Sequence, residues 1–526
     1  MYVQYTLAGQ TEYLIKILST GDYIHAYSHV NVDLAFTSDL VTFKYTFYDY
    51  ILGGTQNVYH FADGDYDNLQ FEYVSSLAPY MSSSPGNDVS GTAGADNLSG
   101  GPGDDSIAAG AGNDAIFAGF EGLAGGIDAV DGGDGADTLS ATYDGQVIAV
   151  SSLTNVEVVT SGGHSNVTLA GSFQKDVLNL SGVQLVDILS VSGGSGNDTL
   201  VGSNGADTLL GDSGADSLAG GGGNDVFYFD DAPDKGDVID GGSGADTIMA
   251  TTDHANIVLN GMSGIEAISA NGHVGVEIVS TVAVNLDFSN VTLTNISGIL
   301  GSAQTDTLIG SSGNDTFLYY DLAGLDYDII DGGPGHDQIL AGESWAYFMF
   351  QSIRNVEVIS GNGYEGVKLY IPTDGQVSNF SNVHLIDIEE IVGTTAADTI
   401  IGSTSSDRFV SDGGADLMTG GAGSDVFAYY ALSDSSVATG RDTITDFNLT
   451  QDKLDLSMVD ANSTVLGRQH FSYIGTAPFT STAGELRYTA GNAGVTLSGD
   501  INGDGQADFE IQLGSIYSIS SSNFIL

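Results

Sequence analysis

The sequence predicts an all-β protein, a parallel β-roll or β-solenoid with a small β-domain at each end. Three observations predict it. Aspartates recur every nine residues, as at 198, 207, 216 and 225 in "GGSGNDTLVGSNGADTLLGDSGADSLAGGGGNDVFYF". A longer repeat of about 75 residues is laid over that short one, the mark of a solenoid or array. And 74 of the 526 residues are glycine while none is cysteine, so turns abound and disulfides and thiolate metal sites are excluded.

Residues 1–80 differ from the rest. They hold 17 of the 47 Phe and Tyr residues and alternate apolar with polar in "LVTFKYTFYDYIL", which predicts a small aromatic-rich β-domain. Its role, end cap or separate docking element, is open. The nine-residue period then runs through 81–430, with Asp88, Asp96, Asp105 and Asp114 first and Asp398, Asp407, Asp416 and Asp425 last. Pairs with the same spacing stand at Asp128/Asp137, Asp237/Asp246, Asp306/Asp315 and Asp328/Asp337. Three modules, 128–202, 237–310 and 328–402, open on "DAVDGGDGADTLS", "DVIDGGSGADTIM" and "DIIDGGPGHDQIL". They keep equivalent positions at Glu157, Glu266 and Glu357, and at His164, His273 and Tyr364. Residues 431–526 form a C-terminal β-domain of a third kind.

Charge narrows the function. With 68 acidic and 11 basic residues the net charge is −57, which argues against nucleic acid or an anionic membrane as partner. Disorder is also disfavoured, because 41% of residues are apolar and the acids are spaced rather than run together. No apolar run approaches the ~20 residues of a membrane helix, so no membrane insertion is expected. Such an excess of carboxylates needs cations to fold compactly.

The unit "GGSGNDTLV" suits that need. Glycines permit positive φ and leave carbonyls exposed, the aspartate supplies a carboxylate, and the leucine two residues on can point inward from a short strand. Calcium takes six to eight oxygens and accepts carboxylates and carbonyls together. Two units make one coil, so aspartates eighteen apart, such as Asp198 with Asp216 or Asp207 with Asp225, stack on one edge. The units resemble the G-G-x-G-x-D-x-U-x repeats of RTX proteins, which form calcium-filled parallel β-rolls. The resemblance implies several calcium ions held by the twenty aspartates named above. "SAQTDTLIG" and "TTAADTIIG" lack the opening glycine pair and "STSSDRFVS" carries an arginine, making Asp306, Asp398 and Asp407 weaker sites. Glu157, Glu266 and Glu357 are expected as hydrogen-bonded or solvated groups rather than ligands.

Residues from "RDTITDFNLTQDKLDLS" to the terminal "FIL" resemble the C-terminal region of serralysin-type and other RTX proteins. That resemblance implies export by a type I secretion apparatus from a Gram-negative bacterium, with no cleaved N-terminal signal and an extracellular location. "DINGDGQAD" places Asp500, Asn502 and Asp504 at EF-hand spacing, but Ile511 replaces the twelfth-position glutamate, so a β-turn with one ion is the better expectation.

Catalytic motifs are absent. The chain has no H-E-x-x-H and no G-x-S-x-G. A non-enzyme is therefore expected. Overall make-up resembles surface-layer (S-layer) proteins that self-assemble outside the cell in a calcium-dependent way. The alternative is an RTX adhesin or biofilm-matrix protein binding cell-surface polysaccharide. A third reading is a secreted polysaccharide-acting enzyme.

Overall fold

The computed structural model describes residues 86–526 apart from 102, 119–125, 231–235, 321–326, 372–376 and 439; before residue 86 it describes six strands. These form two three-stranded antiparallel sheets, one from Val3–Leu7, Gln10–Lys16 and Tyr23–Ala26, the other from Asp33–Thr37, Leu40–Lys44 and Tyr59–Ala62. The aromatic packing expected there lies outside the described residues. From residue 86 on, the described chain is short strands and turns, with two 3-10 turns and no α-helix. It is a parallel β-solenoid.

The chain divides into two compact units, 1–212 with 220–223 and 213–219 with 224–526. In the first, Asp88–Ser90 pairs in parallel with Ser106–Ala108, and Asn97–Ser99 with Ala115–Phe117. Successive strands alternate between two sheets, so each eighteen-residue coil holds two strands, as the sequence predicts. Module 128–202 widens the coil. There Val158–Thr160 pairs with Gln184–Val186, Thr168–Ala170 with Ser190–Ser192, and Val177–Asn179 with Thr199–Val201, giving three strands per coil. Where glycine–aspartate turns give way to runs such as "VTLAG" and "VLNLSG", each run supplies its own strand and buried leucine (Leu169, Leu178).

The second unit repeats the scheme twice. Module 237–310 pairs Ala267–Ser269 with Thr292–Thr294, Glu277–Val279 with Gly298–Leu300, and Asn285–Asp287 with Thr307–Ile309. Module 328–402 does the same at Val358–Ser360, Lys368–Tyr370 and Val377–Asn379. Residues 431–526 continue these sheets without a break in pairing. Val426–Ala428 pairs with Lys453–Asp455, which pairs with Phe524–Ile525. Asp442–Ile444 pairs with Phe509–Leu513, beyond which Gly494–Asp500 and Glu485–Gly491 turn antiparallel.

The core is threaded by one position of the repeat. The residue two after each aspartate points inward: Ile107, Ile116, Leu139, Leu200 and Leu209 in the first unit, and Ile248, Phe317, Ile339, Phe409 and Phe427 in the second, are all buried. Phe409 and Phe427 stack at 5.0 Å and 9° between rings. Truncating a stacked core aromatic leaves a cavity as well as lost burial, so Phe427→Ala should destabilise the second unit by about 3–5 kcal/mol in denaturant unfolding.

Candidate metal centres in the aspartate turns

A ladder is built on the repeat aspartate. Its backbone N–H donates to Oδ1 of the aspartate one coil on: Asp96 to Asp114 at 2.8 Å, Asp114 to Asp137 at 2.8 Å, Asp105 to Asp128 at 3.0 Å. The second unit repeats the contact from Asp216 to Asp237, Asp225 to Asp246, Asp306 to Asp328, Asp315 to Asp337, Asp398 to Asp416 and Asp407 to Asp425. Glu157, Glu266 and Glu357 end ladders by accepting from Asp137, Asp246 and Asp337, each at 2.7 Å. They are hydrogen-bonded, as expected.

One oxygen of each of these acceptors is thereby used; Oδ2 divides most of the turns into two kinds, those of Asp216 and Asp416 standing apart with Asp212 and Asp412 at positive φ four residues before. In the first kind, the residue four before the aspartate is serine or threonine, and its N–H donates to Oδ2. Ser203 does so to Asp207, Ser302 to Asp306, Ser311 to Asp315, Thr394 to Asp398 and Ser403 to Asp407, at 2.6–2.7 Å, and each hydroxyl adds a further bond. Thr92 and Ser172 treat Asp96 and Asp176 likewise. These carboxylates are closed by their own turn.

In the second kind that residue is glycine with φ near +90°, such as Gly133 (φ 90) and Gly333 (φ 87). Here Oδ2 of Asp105, Asp114, Asp137, Asp246 and Asp337 is buried and accepts no hydrogen bond, in residues no more than 2% exposed. A buried carboxylate oxygen left without a donor is costly. The preceding glycine completes a cradle. A Cβ on Gly132 would sit 1.9 Å from the Asn155 carbonyl oxygen and 2.8 Å from Asp137 Oδ2; on Gly332, 2.0 Å from Asn355 O and 2.8 Å from Asp337 Oδ2. A carbonyl and a carboxylate oxygen thus approach this glycine closely, as they also do at Gly202 and Gly310 in the closed turns, and the open turns differ in the bare Oδ2. Those donors fit a hard cation such as calcium. Among the described residues no three acidic or histidine side chains converge, so carbonyls must supply much of the shell.

Burial sets the electrostatics. It pushes the Asp337 carboxyl up to about 6, with repulsion from Asp315 and Glu357 adding, and Asp425 up to about 7, with Asp452, Asp407 and Asp446 adding. Asp128 and Asp198 rise to about 6 for the same first cause. Asp416 and Asp442, one coil apart, are both raised by burial first; Asp442 raises Asp416 further, while the hydrogen bond from the Asp416 amide holds Asp442 down.

Against these turns two family descriptions match. "RTX calcium-binding nonapeptide repeat (4 copies)" covers 90–121, 192–227, 234–254, 299–318 and 322–343, and "Peptidase M10 serralysin C terminal" covers 368–526. The chain carries RTX calcium-binding repeats and a serralysin-type C-terminal region. RTX nonapeptide repeats bind calcium, so the chain holds several calcium ions, and its make-up is that of secreted RTX-type proteins. No curated protein matches the chain. Among solved structures, the AlgE6R3 subunit from the Azotobacter vinelandii mannuronan C5-epimerase is 18% identical, covering 42% of this chain and 77% of that one. Its TM-score of 0.16 carries no argument. Among the described residues no helix is long and apolar enough to cross a membrane.

The other sequence-predicted RTX positions are placed as follows. Asn87, not Asp88, stands in the ladder, its N–H donating to Asp105 Oδ1 at 2.6 Å; Asp88 is exposed, because 88 and 96 are eight residues apart rather than nine. The first glycine of the units at Asp306 and Asp398 is retained, at Gly301 and Gly393, so of the opening pair only the second is lost, to Ser302 and Thr394, while Gln304 and Ala396 replace the third glycine. Asp198 and Asp216 fall in different compact units, as do Asp207 and Asp225. Both Asp500 oxygens accept loop amides, from Gly503 at 2.7 Å and Gly505 at 2.8 Å, while Asn502 Oδ1 and Asp504 Oδ1 accept from Asp504 and Gln506. That loop closes on itself as a turn. Sequence reasoning missed Asp176, Asp442 and Asp452, which accept or donate in ladders. The signal was an aspartate two before an apolar residue in "DVL", "DTI" and "DKL".

Two outcomes follow from the two kinds of turn. Asp137→Asn should lower the calcium stoichiometry by one or more in isothermal titration. Asp315→Asn should leave it unchanged while costing about 1–3 kcal/mol of stability through lost turn hydrogen bonds. In chelator, carboxyls raised above the unfolded value of 3.8 keep protons that the unfolded chain gives up. Stability must then fall as pH rises from about 4 through 7. The melting midpoint in EGTA should drop between pH 5 and 8, and calcium should remove the drop; a midpoint that rises with pH in EGTA contradicts this.

Proposed function

We propose that this secreted RTX protein is a surface-layer type structural protein that assembles with itself outside the cell when calcium is present. The observation that carries the reading is a chain of net charge −57 whose buried ladders leave carboxylate oxygens unmatched by donors. Copies stripped of cations repel one another, and with a Debye length of ~8 Å monovalent salt screens only the more distant charges. Divalent ions cancel charge locally, two units each, and bridge carboxylates of neighbouring chains. Cell-surface polysaccharide is the second partner of this reading and the type I secretion apparatus its route out. A non-catalytic role agrees with the missing motifs, and the serralysin match covers that family's C-terminal segment alone.

Purified protein in EGTA should be monomeric, and millimolar calcium should drive it into sheets or filaments seen by light scattering and negative-stain microscopy. Sodium chloride at equal ionic strength should not substitute. A protein that folds with calcium yet stays monomeric at high concentration would overturn the assembly reading in favour of an adhesin or matrix role.

A further inference from the structure

The three modules are internal controls for one another, and the third departs from the others at one place. Seventeen residues into each module the chain takes a left-handed turn: Gly145 (φ 72), His254 (φ 60) and Trp345 (φ 67). Glycine alone adopts this without strain, and a bulky residue there marks a constraint imposed for another purpose. Trp345 is the chain's single tryptophan, and it is 58% exposed. Its ring lies over Gly366, where a Cβ would stand 2.2 Å from Cε3.

Nearby positions change in concert. His164 and His273 pair with Asp144 and Asp253 at 3.5 and 3.1 Å; in the third module these become Tyr364, 40% exposed, and Ser344. Ser165 and Val274 become Glu365, and Leu189 and Ser297 become Glu389. Tyr364, Glu365, Gly366, Asp387 and Glu389 line a shallow depression of about 440 Å³. The Trp345 backbone N–H donates to Glu365 O at 2.7 Å, as Gly145 and His254 do to Ser165 and Val274, and its ring covers Gly366 beside the depression.

From this we infer that the third module carries a saccharide-binding site, with Trp345 and Tyr364 as stacking faces and Glu365, Asp387 and Glu389 as hydroxyl acceptors. An exposed indole offers a large flat apolar surface at the edge of water, the complement of a pyranose face lined with C–H bonds. Carboxylates are acceptors only, so they match the O–H donors of a sugar and repel uronates. The ligand class is therefore an oligosaccharide without carboxylate groups. The depression lies within the usual range of ligand sites. The site stands independently of the self-assembly reading.

A single tryptophan makes the test direct. Calcium-loaded full-length protein, titrated with cellohexaose, N-acetylchitohexaose or oligomannuronate, should show a saturable change in indole emission with at least one neutral sugar and none with the uronate. Trp345→His and Tyr364→His install the residues of the second module, which the same fold already accommodates. Each should weaken binding, read by calorimetry, by about tenfold or more without altering the circular dichroism spectrum. No saturable change with any sugar, equal binding of oligomannuronate, or unchanged affinity in Trp345→His would overturn the assignment.

Discussion

The hydrogen bond from one aspartate amide to the carboxylate one coil on is the constraint on which this solenoid depends. It consumes a backbone donor that the turn would otherwise leave unpaired, and it fixes the carboxylate's rotation. Register follows. Once Asp114 accepts from Asp96, Ile116 must lie beside Leu98 and face inward, and the next strand is placed the same way. Parallel strands of three residues have little stability of their own. Stacked carboxylates and the column of apolar residues two positions later act as one device, since neither is placed without the other.

The same device creates the need for a cation. Fixing Oδ1 leaves Oδ2 buried, and the residue four positions earlier decides what meets it. Serine or threonine answers with an amide and a hydroxyl, as Ser311 does for Asp315. Glycine at positive φ gives it no amide, and Oδ2 stays buried without a donor, as at Asp337. Calcium dependence is then a local property of the turn rather than of the whole repeat. Closed turns stand in pairs at Asp306/Asp315 and Asp398/Asp407 and singly at Asp96, Asp176 and Asp207, among turns that remain open.

Much of this was legible in the sequence. The nine-residue period gave the parallel coils, the apolar residue two after the aspartate gave the core, and the glycine–aspartate units gave the turns that stack the carboxylates. Asp88 was misplaced because aspartate was counted in preference to register, and an asparagine holds the ladder equally well through its backbone. The capping role of Ser203 and its equivalents was hidden because "GS" and "GG" differ by one small residue, although they differ in whether an amide faces the carboxylate. The three-stranded coils of the modules were also out of reach. "VTLAG" and "VQLVD" announce strands, but how many close a coil depends on where each strand pairs. Asp442 and Asp452 were passed over because glycine no longer precedes them, while their place in the ladder persists.

Amide hydrogen exchange of the full chain, with and without calcium, tests the central claim most directly, because it reads each turn separately. In chelator, amides of Ser302–Asp306 and Ser311–Asp315 should already be protected, and calcium should change them little. Amides of Gly132–Asp137 and Gly332–Asp337 should exchange readily in chelator and gain protection by orders of magnitude when calcium is added. Equal gains at both kinds of turn would contradict the account.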